Sequence, residues 1–149
     1  SNFTVDQLDH LQAACPMKLV CNQIELSLFH YDALEDGSLD YYQRHDITPV
    51  AWSPLAQGKL GGEEPVSLRK PNHLQEQTVR DALHAVAVQK NCSPTAVALA
   101  WLMRHPAGIV PIIGSTNPDH IREATKAADL LLSREEWYRL MAAAGKSLP

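Results

Sequence analysis

Short apolar runs separated by longer amphipathic stretches predict three buried strands in this chain. The runs fall at 18–24, 49–53 and 109–113, and polar or turn-forming residues bound each of them. The amphipathic stretches have a helical period, which predicts helices over 5–14, 38–45 and 74–90, a fourth from Ser93-Pro94, and two more over 118–127 and 134–143. Strands that alternate with helices form parallel units with right-handed crossovers. The sheet could be small and open, or it could be part of a closed barrel.

The junction after the third run has the features of an anion site. The apolar run 109–113 is followed by Gly114-Ser115-Thr116, and a helix then begins with Asn117 as N-cap and Pro118 at its first position. Free backbone N–H groups and the positive end of the helix dipole therefore face whatever lies beyond the strand. In a (β/α)8 barrel the loops after the last two strands commonly bind phosphate. A phosphorylated ligand is predicted here, although a plain turn before a capped helix would explain the same residues.

Composition narrows the function classes. The 149 residues are 45% hydrophobic and 20% charged, which is typical of one soluble globular domain covering 1–149. A net charge of −4 without a basic run argues against nucleic acid. No apolar stretch approaches the roughly 20 residues that span a bilayer. Three cysteines without a C-x-x-C pair indicate a reducing cytoplasm and favour neither disulfides nor a metal site.

Four motifs stand in order along nearly the whole chain. They are Ser1-Asn2-Phe3, Asn22-Gln23-Ile24-Glu25, the run from Ala51 to Leu60, and Ile113-Gly114-Ser115-Thr116. This ordered set resembles the successive strand-end motifs of the aldo-keto reductases, in a bacterial branch of that family. The resemblance implies an α/β fold that is the C-terminal part of a (β/α)8 TIM barrel, with about three parallel strands and their flanking helices.

The resemblance also implies a nicotinamide site. Ser1, Asn2 and Gln23 match the polar residues that hydrogen-bond the carboxamide, a group that needs both donors and acceptors to fix its orientation. Trp52 matches the aromatic residue on which the nicotinamide ring stacks. The implied cofactor is NADP, with NAD possible.

The phosphates of that cofactor are matched by two loops. The first loop begins at Ser53, the end of the second run, and continues into a long irregular segment predicted from Pro54 to about Asn72. Its residues that the resemblance implies wrap the pyrophosphate are Ser53, Leu55, Gln57, Gly58 and Lys59. The second loop, Gly114-Ser115-Thr116, would hold the adenosine 2′-phosphate, with Arg122 as its charge partner. Two departures weaken a strict NADP preference, because the family often has Lys at the position of Gly114 and Arg at that of His120.

The family's catalytic Tyr, Lys, Asp and His have no match in this chain. The first residues lack a methionine, and Thr4 to Gln7 read at once as a capping box, so the chain is expected to be cut from a longer protein. The first hypothesis is thus an NADP-dependent oxidoreductase that reduces carbonyl compounds to alcohols by hydride transfer. This segment would supply the cofactor site, carry no catalytic residue and be inactive alone.

Two other hypotheses stay open. The chain could be a non-catalytic half-barrel that binds cofactor weakly, or that acts only by self-association or by pairing with the missing N-terminal half, since unpaired strand edges favour pairing with another chain. It could also be an unrelated phosphate-binding α/β module.

Several residues have plainer interpretations when taken singly. Trp52 could belong to the core, Gln23 could be satisfied by backbone groups, and Arg122 could be a solvated helix charge. Cys21, within a strand, is predicted to be buried. His30 follows the first strand and could line a substrate pocket.

Overall fold

The computed structural model describes residues 1–62 and 73–146. Within these ranges three strands form one parallel sheet in the order β1-β2-β3, where β1 is Cys21–Glu25, β2 is Thr48–Trp52 and β3 is Val110–Pro111. Six α-helices accompany it in the same ranges: α1 Val5–Ala14, α2 Ser38–His45, α3 His73–Lys90, α4 Pro94–Met103, α5 Pro118–Thr125 and α6 Arg134–Ala143. None of the helices in these ranges is long and apolar enough to cross a membrane.

The predicted order of helices and strands is confirmed, but some of the predicted ends are wrong. The third strand was expected over 109–113 and is only Val110–Pro111. It pairs with β2 on one side, and Pro111 has no N–H to donate. Few residues of the run 109–113 therefore form the backbone hydrogen bonds that define a strand. The helix expected over 118–127 ends at Thr125 and continues as a 3-10 helix, Lys126–Asp129. Of the predicted loop over 54–72, residues 63–72 lie outside the described residues.

The sheet has one covered face and one open face. Along β1 and β2 burial alternates with the period of a strand, so that Asn22, Ile24 and Ala51 are buried on the side of the helices. The register places Gln23 beside Val50 on the other face. That face is less buried in the described residues. The expectation that Cys21 is buried is wrong, because it begins β1 on this open face and is exposed.

The core centres on α4, which is buried on all sides. Every residue from 96 to 102 is buried, and the helix contacts α3, α5 and β3. The ring of Trp101 stacks on that of Trp137, with centroids 5.4 Å apart and planes 15° from parallel. The Trp137 indole N–H also donates to the Trp101 carbonyl at 2.9 Å. This pair fastens α6 to the centre of the helical layer.

Side-chain caps begin four of the helices. Thr4 and Ser133 form capping boxes with Gln7 and Glu136, as the sequence predicts. Ser93 caps α4 through its hydroxyl, and Asn117 caps α5 by accepting from the N–H of Asp119. These caps fix where each helix begins, and in α5 the cap directly follows the predicted anion loop.

The helices α1 and α2 are joined through a tyrosine. The Tyr41 hydroxyl donates a hydrogen bond to the Asp9 carboxylate, and the Tyr41 ring stacks on His45 with centroids 4.2 Å apart. The hydrogen bond to Asp9, together with burial, raises the pKa of Tyr41 to about 12.

The core is expected to be more sensitive to truncation than the surface of the same helix. Leu83→Ala in α3 removes a fully buried side chain and should lower the free energy of unfolding by about 2–5 kcal/mol. Val88→Ala, at a position 67% exposed on the same helix, should change it by less than about 0.5 kcal/mol. Urea denaturation measures both, and equal losses in the two variants would contradict this packing.

The Asp9–Tyr41 contact predicts a pH-dependent stability. Because the folded pKa of Tyr41 lies above the ordinary value of 10.0, its contribution to stability is complete below pH 10.0 and is lost as the pH rises through about 12. Asp9→Asn should lower the pKa of Tyr41 toward its ordinary value, whereas Asp6→Asn on the same helix should leave it in place. An ultraviolet absorbance titration of tyrosinate tests this, and coincident curves for the parent and Asp9→Asn would refute it.

Candidate functional site

The predicted site residues lie at one edge of the sheet. Because the three strands are parallel, their carboxyl ends meet at the same edge. Trp52 ends β2, and Gln23 lies in β1 two residues before its end. The Ile112 N–H donates to the Ala51 carbonyl at 2.8 Å, which keeps the start of the loop after β3 beside β2.

The segment before α1 joins the ends of β1 and β2. The Asn2 N–H donates to the Gln23 carbonyl at 2.7 Å, and the Trp52 indole N–H donates to the Asn2 side-chain oxygen at 2.9 Å. Asn2 adopts a left-handed backbone with φ of 56°, a conformation that asparagine tolerates better than most residues. Trp52 is only partly buried and lies outside the core, so its plainer interpretation as a core residue is wrong. Ser1 is exposed on the same segment.

The loop after β2 is a succession of tight turns. Left-handed φ angles occur at Ser53 (52°), Ala56 (48°), Gln57 (60°) and Gly58 (86°). Each such non-glycine residue costs on the order of 1–3 kcal/mol, so the surroundings must hold the loop in this shape. The loop is anchored by Leu60, which is 2% exposed.

The outer surface of this loop is formed by its polar residues. Gln57, Gly58 and Lys59 are exposed, whereas Leu55 is half-buried against the core. The first loop therefore offers backbone groups and one lysine to solvent at the carboxyl edge of the sheet.

The loop after β3 is organised around Ser115. Its hydroxyl accepts from the Asn117 N–H at 3.2 Å and lies 3.3 Å from His120 Nδ1. Thr116 is exposed beside it. Gly114 is exposed too, and a Cβ added there would meet no atom within 4 Å. The loop is thus open to solvent at Gly114.

Arg122 is held by a neighbouring carboxylate. Its guanidinium lies 2.5 Å from Asp119 one turn earlier in α5, and its side chain is 74% exposed. Among the described residues Ser115 hydrogen-bonds with Asn117 and His120 rather than with Arg122. The expected charge partner of the loop is therefore nearby on α5, but it is neutralised by an ion pair.

A sequence profile of the Aldo/keto reductase family matches residues 1–144. This chain belongs to the aldo/keto reductase family. Curated relatives agree: it is 42% identical over 150 residues to a 6-dehydroglucose reductase of Novosphingobium aromaticivorans, covering 100% of this chain and 47% of that protein. It is also 37% identical over 145 residues to the oxidoreductase YdhF of Escherichia coli, covering 97% of this chain and 45% of that protein. The chain spans about half the length of the curated relatives it matches.

Solved structures place the same α/β architecture within aldo-keto reductase barrels. The thermostable aldo-keto reductase Tm1743, in complex with the inhibitor epalrestat, superposes with a TM-score of 0.77 at 26% identity, over 95% of this chain and 46% of that one. Gox0644 in complex with NADPH gives a TM-score of 0.71 at 20% identity, over 95% and 44%, which bears on the fold alone. The fold is therefore part of the family's TIM barrel, as the sequence predicts.

A cavity of about 560 Å³ adjoins the Asn2–Trp52 contact of this aldo-keto reductase chain. It is lined by Glu25, His30 and Asp32 as well as by Asn2 and Trp52. His30 Nδ1 lies 3.9 Å from Glu25, and its Nε2 lies 4.0 Å from Asp32. His30 thus lines this cavity, and its role in a substrate pocket stays a prediction. The residues that the structure describes contain no group of three or more His, Cys, Asp or Glu side chains able to hold a metal ion.

Sequence reasoning missed two buried residues beneath the site. Asn22 donates from Nδ2 to the Phe3 carbonyl at 3.0 Å and to the Tyr42 hydroxyl at 2.9 Å. The signal was available, because Asn22 is a polar residue on the same strand face as the buried Ile24.

Proposed function

We propose that this chain supplies the cofactor-binding half of an NADP(H)-dependent aldo-keto reductase, which reduces small carbonyl compounds to alcohols by hydride transfer. The observation that carries the proposal is the hydrogen bond from Trp52 to Asn2, with Asn2 fixed in turn to Gln23. A flat aromatic residue and two amides meet at the edge of the sheet where α/β folds bind ligands. Gox0644, which shares the fold, was solved in complex with NADPH.

The amide and aromatic groups would orient the nicotinamide. Ser1, Asn2 and Gln23 offer the donors and acceptors that a carboxamide needs, and Trp52 offers a flat face for the ring. The cofactor itself supplies the hydride, so these residues contribute position alone.

The turns of residues 53–62 would hold the pyrophosphate. Ser53 and Leu55 begin this loop, and Gln57, Gly58 and Lys59 lie on its solvent side. Lys59 adds the positive charge that a pyrophosphate attracts.

The loop after β3 would hold the adenosine 2′-phosphate. Ser115 and Thr116 supply hydroxyls, and Gly114 leaves room for the phosphate to approach. Arg122 would have to bind the phosphate in competition with its ion pair to Asp119. The proposed preference for NADP is therefore moderate, and NAD stays usable.

Proton transfer would come from outside these residues. No part of this chain matches the family's Tyr, Lys, Asp and His, so 1–149 is proposed as one structural unit that is inactive alone. The sequence has three cysteines and no C-x-x-C pair, which favours a reducing, cytoplasmic setting for the proposed enzyme.

A second candidate function is favoured by the open face of the sheet. Val110 and Ile112 are 50% and 39% exposed near the same edge. A half-barrel with such a face could act only after assembling with another chain, or could bind cofactor weakly without catalysis.

Fluorescence titration with NADPH tests the proposed site. NADPH should quench the parent chain, and Trp52→Phe should lose most of that quenching. Trp137→Phe serves as the matched control, because Trp137 stacks on Trp101 in the helical layer. The fluorescence of this variant should still be quenched by NADPH. Equal quenching in both variants, or none in the parent at saturating cofactor, would contradict the assignment. An assay of aldehyde-dependent NADPH oxidation by the chain alone should give no turnover.

The charge at the loop after β3 is expected to set the preference for NADPH. Gly114→Lys should raise the ratio of NADPH to NADH affinity about tenfold, because the site is open and one added charge-assisted hydrogen bond is worth about that factor. Gly114→Gln matches the length without the charge and should leave the ratio near that of the parent. Binding titrations with both cofactors measure this, and an equal gain from Gln would show that charge is not the cause.

A further inference from the structure

Beneath the proposed nicotinamide site lies a buried polar pair, Asn22 and Tyr42. Asn22 is 2% exposed and Tyr42 is 1% exposed, and both belong to the side of β1 that the helices cover. Asn22 joins Tyr42 on α2 to the chain segment before α1 through both protons of its amide. Neither residue belongs to the set that would touch the cofactor.

The hydrogen bonds of Asn22 fix how its amide is oriented. The Phe3 carbonyl can only accept, so the amide nitrogen must face it, and the second proton then goes to the Tyr42 hydroxyl. The amide oxygen has no partner among the described residues. A buried oxygen without a partner destabilises the fold, and an apolar side chain would avoid that cost. The two bonds made by the nitrogen therefore explain the asparagine better than packing does.

These bonds hold Asn2 on both sides. Its own N–H is fixed by the Gln23 carbonyl, and the carbonyl of the next residue, Phe3, is fixed by Asn22. Between these two points Asn2 adopts its left-handed φ of 56° and accepts from the Trp52 indole. The exposed segment 1–3 has no helix or strand to hold this shape.

We propose that Asn22 and Tyr42 are positioning residues that hold Asn2, and through it the Trp52 indole, in the orientation that receives the nicotinamide. Tyr42 orients the Asn22 amide, Asn22 fixes the Phe3 carbonyl, and Asn2 then orients Trp52. This inference rests on the proposed function for its link to the cofactor, but the support of Trp52 exists without any ligand.

The first test is made on the cofactor-free chain, by NMR of the Trp52 indole N–H, assigned with Trp52→Phe. Asn22→Leu keeps the size of the side chain and removes the amide, and it should speed solvent exchange of that proton about fivefold to tenfold, as for the loss of one net hydrogen bond. Asn2→Ala defines full release of the indole. Tyr42→Phe removes one hydroxyl and keeps the ring, and it should also speed solvent exchange of the Trp52 indole proton, by a smaller factor.

The control is Tyr31→Phe. Tyr31 donates through its hydroxyl to the Ala144 carbonyl at 3.2 Å, so this variant also loses a tyrosine hydrogen bond, but outside the Asn22 network. It should leave the exchange rate of the Trp52 indole proton as in the parent. If Tyr31→Phe changed that rate as much as Tyr42→Phe, the effect would reflect a general loss of stability and the proposal would fail.

NADPH titration then separates the two proposals. If both hold, Asn22→Leu should raise the Kd for NADPH about fivefold, because a hydrogen bond that preorganises the site is lost. Tyr31→Phe should leave this Kd unchanged. An unchanged exchange rate of the Trp52 indole proton in both Asn22→Leu and Tyr42→Phe overturns the positioning role, whether or not NADPH binds. If the exchange rate rises as expected but the parent binds no NADPH, the proposed function fails and the support of Trp52 by Asn22 stands.

Discussion

The hydrogen bond between Trp52 and Asn2 is the contact on which the arrangement of the candidate site depends. It joins the chain segment before α1 to the end of β2, across β1, and so brings residues far apart in sequence to one edge of the sheet. The neighbouring bond from Asn2 to the Gln23 carbonyl gives the segment its register on β1. Together with the bond from the Asn22 amide to the Phe3 carbonyl, these two bonds fix the exposed residues before α1 relative to the strands.

The sheet imposes a second constraint, because helices cover only one of its faces in the described residues. The covered face packs against a helical layer centred on α4, where Trp101 is 1% exposed. The other face carries the half-buried Gln23 and Trp52. In a closed (β/α)8 barrel the corresponding face is filled by side chains of the remaining strands. The chain covers about 45% of the solved barrels it resembles, which agrees with a sheet that is open on that side.

Local signals in the sequence were sufficient for much of the fold. The capping boxes at Thr4 and Ser133 and the cap at Asn117 begin helices where predicted, because caps act through hydrogen bonds within a few residues. The shortening of β3 and the exposure of Cys21 depend instead on which strands and faces are covered. Sequence periodicity does not carry that information.

The positions of the candidate loops at the strand ends were predictable from the sequence, but the hydrogen-bond and ion-pair partners of the side chains there were not. The ordered motifs identified the strand ends, whereas the pairing of Arg122 with Asp119 and the bonds of Asn22 arise from side-chain geometry in three dimensions. Asn22 was detectable in principle as a polar residue on an apolar strand face. Its partner Tyr42, 20 residues away, was not.

The most direct test of the account is an NMR experiment that locates the nicotinamide on the chain. Intermolecular nuclear Overhauser effects should connect nicotinamide ring protons of bound NADPH to the indole protons of Trp52 and to the side chain of Asn2. Cross-peaks from the adenosine to the loop at Ser115 should accompany them. Saturating NADPH that gave no contact with Trp52, or nicotinamide contacts confined to another surface, would contradict the central claim.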